Sequence, residues 1–163
     1  MVTPFGVPAR WLASYLQGAA PDIEGKQRAR CLIKGGMLTV PVAGGASVLK
    51  RRGADPLLSD HGKWRREHLG AWQAAYGRTP YFEHLMPEIA DVYAASVGMR
   101  LEEFNGRLLG IALRWLDEGS GADIERLQGV REEICAKIQP ELSVFDALFR
   151  LGKAAVFAFP AAH

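Results

Sequence analysis

The sequence predicts an α+β fold: a small, largely N-terminal β-sheet covered by several α-helices, with a helix-rich C-terminal half. Three observations predict it. Glycine pairs and short β-prone runs crowd residues 30–53, apolar stripes at helical spacing fill residues 61–149, and the 163-residue chain is 48% apolar and 23% charged. That length and balance suit one soluble globular domain, expected here over residues 1–163.

Trp11, Leu12, Tyr15 and Leu16 follow Pro8 at helical spacing and predict a short first helix. A loop through Pro21 follows. Residues 31–33 and 38–42 are short β-prone runs, and Gly35-Gly36 between them signals a hairpin. Pro41 confines the second run to an edge or a strand end, because proline has no ladder donor. Residues 47–49 suggest one more short strand.

The helical half opens at Asp60, the expected N-cap of a helix over 61–76, with Gly77 at its end. Thr79-Pro80 predicts the next start, with Thr79 as cap and Glu83 in the first turn. Pro87 starts a new helix or kinks this one, and Ile89, Val92, Tyr93 and Val97 continue the spacing. Phe104, Leu108, Ile111 and Trp115 mark an amphipathic helix over 101–116, and a turn is expected over 117–121. Asp123 then caps a second stripe, Ile124 to Ile138. Ser143 with Asp146 three residues later has capping-box spacing. Residues 154–159 read as a strand or a packed tail.

Composition excludes several function classes. The formal net charge is only +2, and the basic clusters have no phased aromatic partners, so nucleic acid is not an expected partner. No run of about 18 apolar residues exists, hence no membrane span. Pro4, Pro8, Arg10 and Gln17 interrupt any secretory apolar region. A cytoplasmic protein is expected, with Cys31 and Cys135 reduced. Four histidines and two distant cysteines make no metal pattern, and no cofactor motif is present.

Three clusters can carry chemistry. Lys26, Arg28 and Arg30 place three cations within five residues, suited to a phosphate or carboxylate, though the spacing alone favours a solvated loop or strand end. Lys50, Arg51 and Arg52 read as a solvated turn. The third cluster runs from Asp60 and His61 through Trp64, Arg65 and His68 to Trp72 and Tyr76. Trp64, His68, Trp72 and Tyr76 are spaced by four and share one helix face. His68 between aromatics is a candidate general base, with a bonded core histidine as the alternative. His61 beside Asp60 is the second candidate. Cys31 lies in a basic stretch but opens an apolar run, which favours burial.

At these residues the sequence resembles the WbqC-like family of bacterial proteins. The likeness is carried by Leu58-Ser59-Asp60-His61-Gly62-Lys63-Trp64-Arg65, then His68, Ala71 and Ala75-Tyr76, and on through Thr79-Pro80-Tyr81-Phe82-Glu83. Lys26-Gln27-Arg28-Ala29-Arg30-Cys31, Leu38-Thr39-Val40-Pro41 and Ser143-Val144-Phe145-Asp146-Ala147-Leu148-Phe149 resemble further family segments, with Ala29 where the family carries Asn. The resemblance covers residues 4–155. It implies a role in O-antigen or other surface-polysaccharide biosynthesis, through transfer of glycine or a similar acyl group to an amino sugar.

Under that implication Lys26, Arg28 and Arg30 hold an anionic small molecule, a nucleotide-sugar or an activated acyl donor, and Arg65 assists. His68, or else His61, takes a proton, and Asp60 orients. Trp64, Tyr76 and Tyr81 line the pocket. The competing reading is a non-catalytic binding or assembly module, with the aromatic face as core. A homo-oligomer is compatible with either.

Overall fold

This computed structural model describes residues 29–120 and 142–158. Its architecture is α+β, as the sequence predicts. Strands β1 (Arg30–Ile33) and β2 (Gly36–Thr39) form a two-stranded antiparallel sheet, with Cys31 opposite Leu38 and Arg30 opposite Thr39. The two-residue loop between them puts Gly35 at φ +88°, a conformation that favours glycine. Helices α1 (Trp64–Tyr76), α2 (Phe82–Ala94), α3 (Leu101–Ser120) and α4 (Val144–Leu151) follow, and a 3-10 turn, Gly152–Ala158, packs against α3.

Both edges of the small sheet are stitched to the helical part. The Val40 N–H bonds the Ala29 carbonyl at 2.8 Å. Alternation along an antiparallel ladder then turns the carbonyls of Leu32 and Thr39 away from the partner strand. Each finds a donor outside the sheet. The Ser143 N–H, at the start of α4, reaches the Leu32 carbonyl at 2.8 Å. The His68 ring, on α1, reaches the Thr39 carbonyl at 3.1 Å.

The core is aromatic. Trp72, Tyr76, Phe145 and Phe149 join α1 to α4, with Tyr76 stacked on Phe149 at 4.8 Å between centroids. Trp64, Tyr93 and Phe104 join α1, α2 and α3 in edge-on and tilted contacts. The expected stripe on α3 is buried: Phe104, Leu108, Ile111 and Trp115 all face inward.

Several boundaries differ from expectation, each for a local reason. β2 stops at Thr39, and Val42 instead bridges to Leu58, because Pro41 cannot extend the ladder. Residues 46–50 form a 3-10 helix rather than a strand, with Val48 N–H closing on the Gly45 carbonyl at 3.2 Å. α1 begins at Trp64, after Gly62 at φ +80°, and Asp60 does not cap it. Thr79 closes α1 rather than opening α2: its hydroxyl donates to the Tyr76 carbonyl at 2.6 Å.

Pro87 lies inside the continuous helix α2, on its exposed side. Proline has no N–H to give the Glu83 carbonyl, and Glu83 is itself exposed. α3 runs on to Ser120, through the expected turn. Residues 152–158 are a 3-10 helix packed on α3, so of the two expectations the packed tail holds and the strand does not. The expected helix near residue 12, the stripe from Ile124 to Ile138, and Cys135 lie outside the described residues.

Candidate functional site

His68 is 5% exposed, and both ring nitrogens are engaged. A carbonyl only accepts, so Nε2 carries the proton and donates it to Thr39. Nδ1 then accepts from the Tyr93 hydroxyl at 3.0 Å, and the Tyr93 oxygen accepts from the Trp72 indole N–H at 3.3 Å. Trp64 packs edge-on against the imidazole at 5.2 Å. Burial holds the imidazole at a pKa of about 4, against an upward pull from the Thr39 carbonyl. It is therefore a neutral imidazole that ties β2 to α1 and α2.

Arg65 is fixed just as firmly. Its Nε donates to Ser96 Oγ at 2.6 Å, its Nη2 to the Ser96 carbonyl at 3.2 Å and to Asp60 Oδ1 at 3.0 Å. The guanidinium lies 4.5 Å over the Trp64 ring. It clips the loop before α1 to the carbonyl end of α2, where a cation is electrostatically favoured. His61 is exposed in that loop, and its backbone N–H bonds Ser59 Oγ at 3.2 Å.

Asp60, Trp64, Arg65 and His68 are thus brought together at the start of α1. Arg30 faces Thr39 across the hairpin, so it adjoins the strand that His68 holds, but its side chain is exposed. Tyr76 is elsewhere, buried, its hydroxyl accepting from the Lys34 N–H at 3.0 Å. Burial pushes its phenol well above the ordinary value. Cys31 is buried too, its thiol pushed up to about 12 despite a bond with Ser143. Lys26 and Arg28 lie outside the described residues.

Tyr81 lines a cavity of about 520 Å³ together with His84, Glu88, Arg114, Trp115, Lys153 and Ala154. That volume is ordinary for a small-molecule site. Tyr81, His84 and Glu88 come from one face of α2 and its entry, at spacings of three and four. α3 contributes Arg114 and Trp115, and the C-terminal 3-10 turn contributes Lys153 and Ala154.

Glu88 is anchored by two donors from α3: the Trp115 indole N–H at 3.1 Å and the Arg114 guanidinium. The cavity so formed holds an imidazole, a carboxylate, two cations and two aromatic rings. Such a set can move protons and face a developing negative charge.

The sequence reading reached Tyr81 alone of these residues. The available signals were His84 and Glu88 one helical turn apart and the adjacent Arg114-Trp115. Among the described residues no cluster of three or more His, Cys, Asp or Glu side chains is placed to hold a metal, and no helix is long and apolar enough to cross a membrane.

The family model described as the WbqC-like protein family matches residues 24–124, a span that contains the hairpin, α1, α2 and the α2 and α3 walls of the cavity. No curated protein and no solved structure matches the chain. With well over half of its length inside that match, the chain belongs to the WbqC-like protein family.

Proposed function

We propose that the protein is an enzyme of surface-polysaccharide biosynthesis, O-antigen assembly included, that transfers glycine or a similar acyl group onto an amino sugar. Its reaction site in this reading is the cleft between α2, α3 and the C-terminal 3-10 turn. The observation that carries it is the meeting of His84, Glu88, Arg114 and Lys153 around one cavity of small-molecule size.

The chemistry follows from the groups present. The acceptor amine attacks the donor carbonyl, and a C–N bond forms. His84, exposed on α2, takes the proton that the amine must lose. Lys153 and Arg114 face the negative charge that gathers on the carbonyl oxygen. The bond to the leaving group then breaks, and that group departs with its electron pair and the proton returned by His84. No enzyme nucleophile is required. Glu88, one helical turn from His84, keeps the helix face and the indole of Trp115 in register.

His68 enters this reading as the residue that fixes the hairpin, because both of its nitrogens are already occupied.

The test is a mass-spectrometric screen of amino-sugar nucleotides with activated glycine and acyl donors. An acylated product is expected, with turnover falling at least about a hundredfold in His84→Ala and the melting temperature unchanged. Full turnover in His84→Ala, or no acyl product with any donor, overturns the reading.

A further inference from the structure

We propose that the protein docks on an anionic lipid surface through the face built by residues 43–57 and the turn between α2 and α3. Lys50, Arg51, Arg52 and Arg100 meet the headgroup charges, and Leu57 and Val97 enter the boundary between headgroups and acyl chains. The proposal is independent of the cleft and of the reaction assigned to it.

Three extended segments form the base of this face. The Leu57 carbonyl accepts from the Ala43 N–H at 2.9 Å, and on its other side Leu57 bridges to Arg100, with the Leu58 N–H on the Met99 carbonyl at 2.9 Å. Successive residues of an extended segment point to opposite sides. Pro56 and Leu58 are buried, so Leu57 points outward. Met99 and Leu101 are buried, so Arg100 points outward beside it. Val97 stands three positions before Arg100, in the turn closed by the Met99 N–H on the Ser96 carbonyl at 3.1 Å. Val97 is 67% exposed and Leu57 43%, so the fold leaves both aliphatic side chains in water.

The basic turn hangs on the same strand. The 3-10 helix Ala46–Lys50 is seated through Leu49, which packs against the core. The chain then turns at Gly53, with φ +74°, and the Ala54 N–H bonds the Arg51 carbonyl at 3.2 Å, three positions before Leu57. Lys50, Arg51 and Arg52 are all exposed. Neither they nor Arg100 form an ion pair with any described residue, and Arg100 donates to the neutral Asp55 carbonyl at 2.7 Å. The neighbouring carboxylates are Asp55, which accepts the Glu102 N–H at 2.9 Å, and Glu102 itself. Four cations against these two leave the face positive.

Cations beside aliphatic carbon match a layer of anionic headgroups over acyl chains. Single-stranded nucleic acid is held by rings on which bases stack, and residues 43–57 and 95–100 contain no aromatic side chain.

Co-sedimentation of the full chain with vesicles tests this. Vesicles of equal parts phosphatidylcholine and phosphatidylglycerol should carry the protein down, and vesicles of phosphatidylcholine alone should not. The triple variant Lys50→Gln, Arg51→Gln, Arg52→Gln should weaken binding on the order of a hundredfold, at about fivefold per cation. The double variant Leu57→Ser, Val97→Ser should weaken it about tenfold. If that variant melts lower than the parent, Val97→Ser alone, in the exposed turn, should still weaken binding about threefold. Lys34 and Arg78 are exposed cations at the far end of α1, where the Lys34 N–H bonds the Tyr76 hydroxyl. Lys34→Gln with Arg78→Gln should leave binding within about twofold, because charges that far from the surface are screened.

Equal sedimentation with the uncharged vesicles, no sedimentation with either, or an equal loss in the Lys34 and Arg78 variant each overturns the proposal. So does parent-like binding by Val97→Ser, or tighter binding of a single-stranded oligonucleotide than of the anionic vesicles.

Discussion

At Gly152 the absence of a side chain lets the Tyr81 ring lie where a Cβ would otherwise sit, with the backbone held at φ +57°. Two costs would therefore meet in Gly152→Ala: a backbone at φ +57°, ψ −141° that side-chain-bearing residues rarely adopt, about 1–3 kcal/mol, and displacement of a Tyr81 ring that the new Cβ would meet at 2.5–2.7 Å, about 1–3 kcal/mol by the usual cost of overpacking. Gly35→Ala carries a positive-φ cost with no such contact, since Gly35 has φ +88° and nothing within 4 Å of its would-be Cβ. Thermal melts should show Gly152→Ala falling further than Gly35→Ala, by roughly 2–4 °C for each extra kcal/mol at this chain length. Equal shifts would overturn this expectation.

The elements show where sequence patterns suffice and where they do not. α3 was legible because Phe104, Leu108, Ile111 and Trp115 repeat on one face, and the core buries that face. The hairpin was legible from its glycine pair. The start of α1 was not, because the Asp60 carboxylate that could have capped it is bound by Arg65, whose other hydrogen bonds go to Ser96, 31 positions away.

The capping box at α4 was half right for the same kind of reason. Ser143 Oγ accepts from the Phe145 N–H at 3.3 Å. Asp146, however, pairs with Arg150, since the Ser143 N–H that it would have bonded goes to the Leu32 carbonyl. The cleft was the least legible feature. Its lining comes from three segments about 30 to 40 positions apart, and no local period links them. Because the buried Ser143 hydroxyl caps α4 and also bonds the Cys31 thiol, Ser143→Ala should cost at least about 1 kcal/mol of unfolding free energy, measured as a lower urea midpoint with unchanged slope. An unaltered midpoint would show that the cap carries no stability.

At the scale of the whole molecule, one neutral imidazole joins the sheet to the helices, and this gives the fold a predictable response to acid. His68 bonds β2 through Thr39 and α2 through Tyr93, from its place on α1. Its folded pKa is about 4, below the model value of 6.5 that applies to the unfolded chain. Between those two values the unfolded chain binds the proton and the folded one does not, so stability rises with pH across that window. The contribution is fully present above about pH 6.5 and is lost as pH falls toward 4. A shift of this size corresponds to roughly 3 kcal/mol.

Carboxylates also titrate on the acid side, so the informative quantity is a difference. In His68→Gln, which cannot take up the proton, unfolding free energies from urea titrations at half-unit pH steps should start lower than those of the parent at pH 7. The gap should narrow steadily between pH 6.5 and 4 as the parent pays to keep its imidazole neutral. Parallel curves across that interval would show that His68 does not hold the hairpin in the way its two hydrogen bonds indicate.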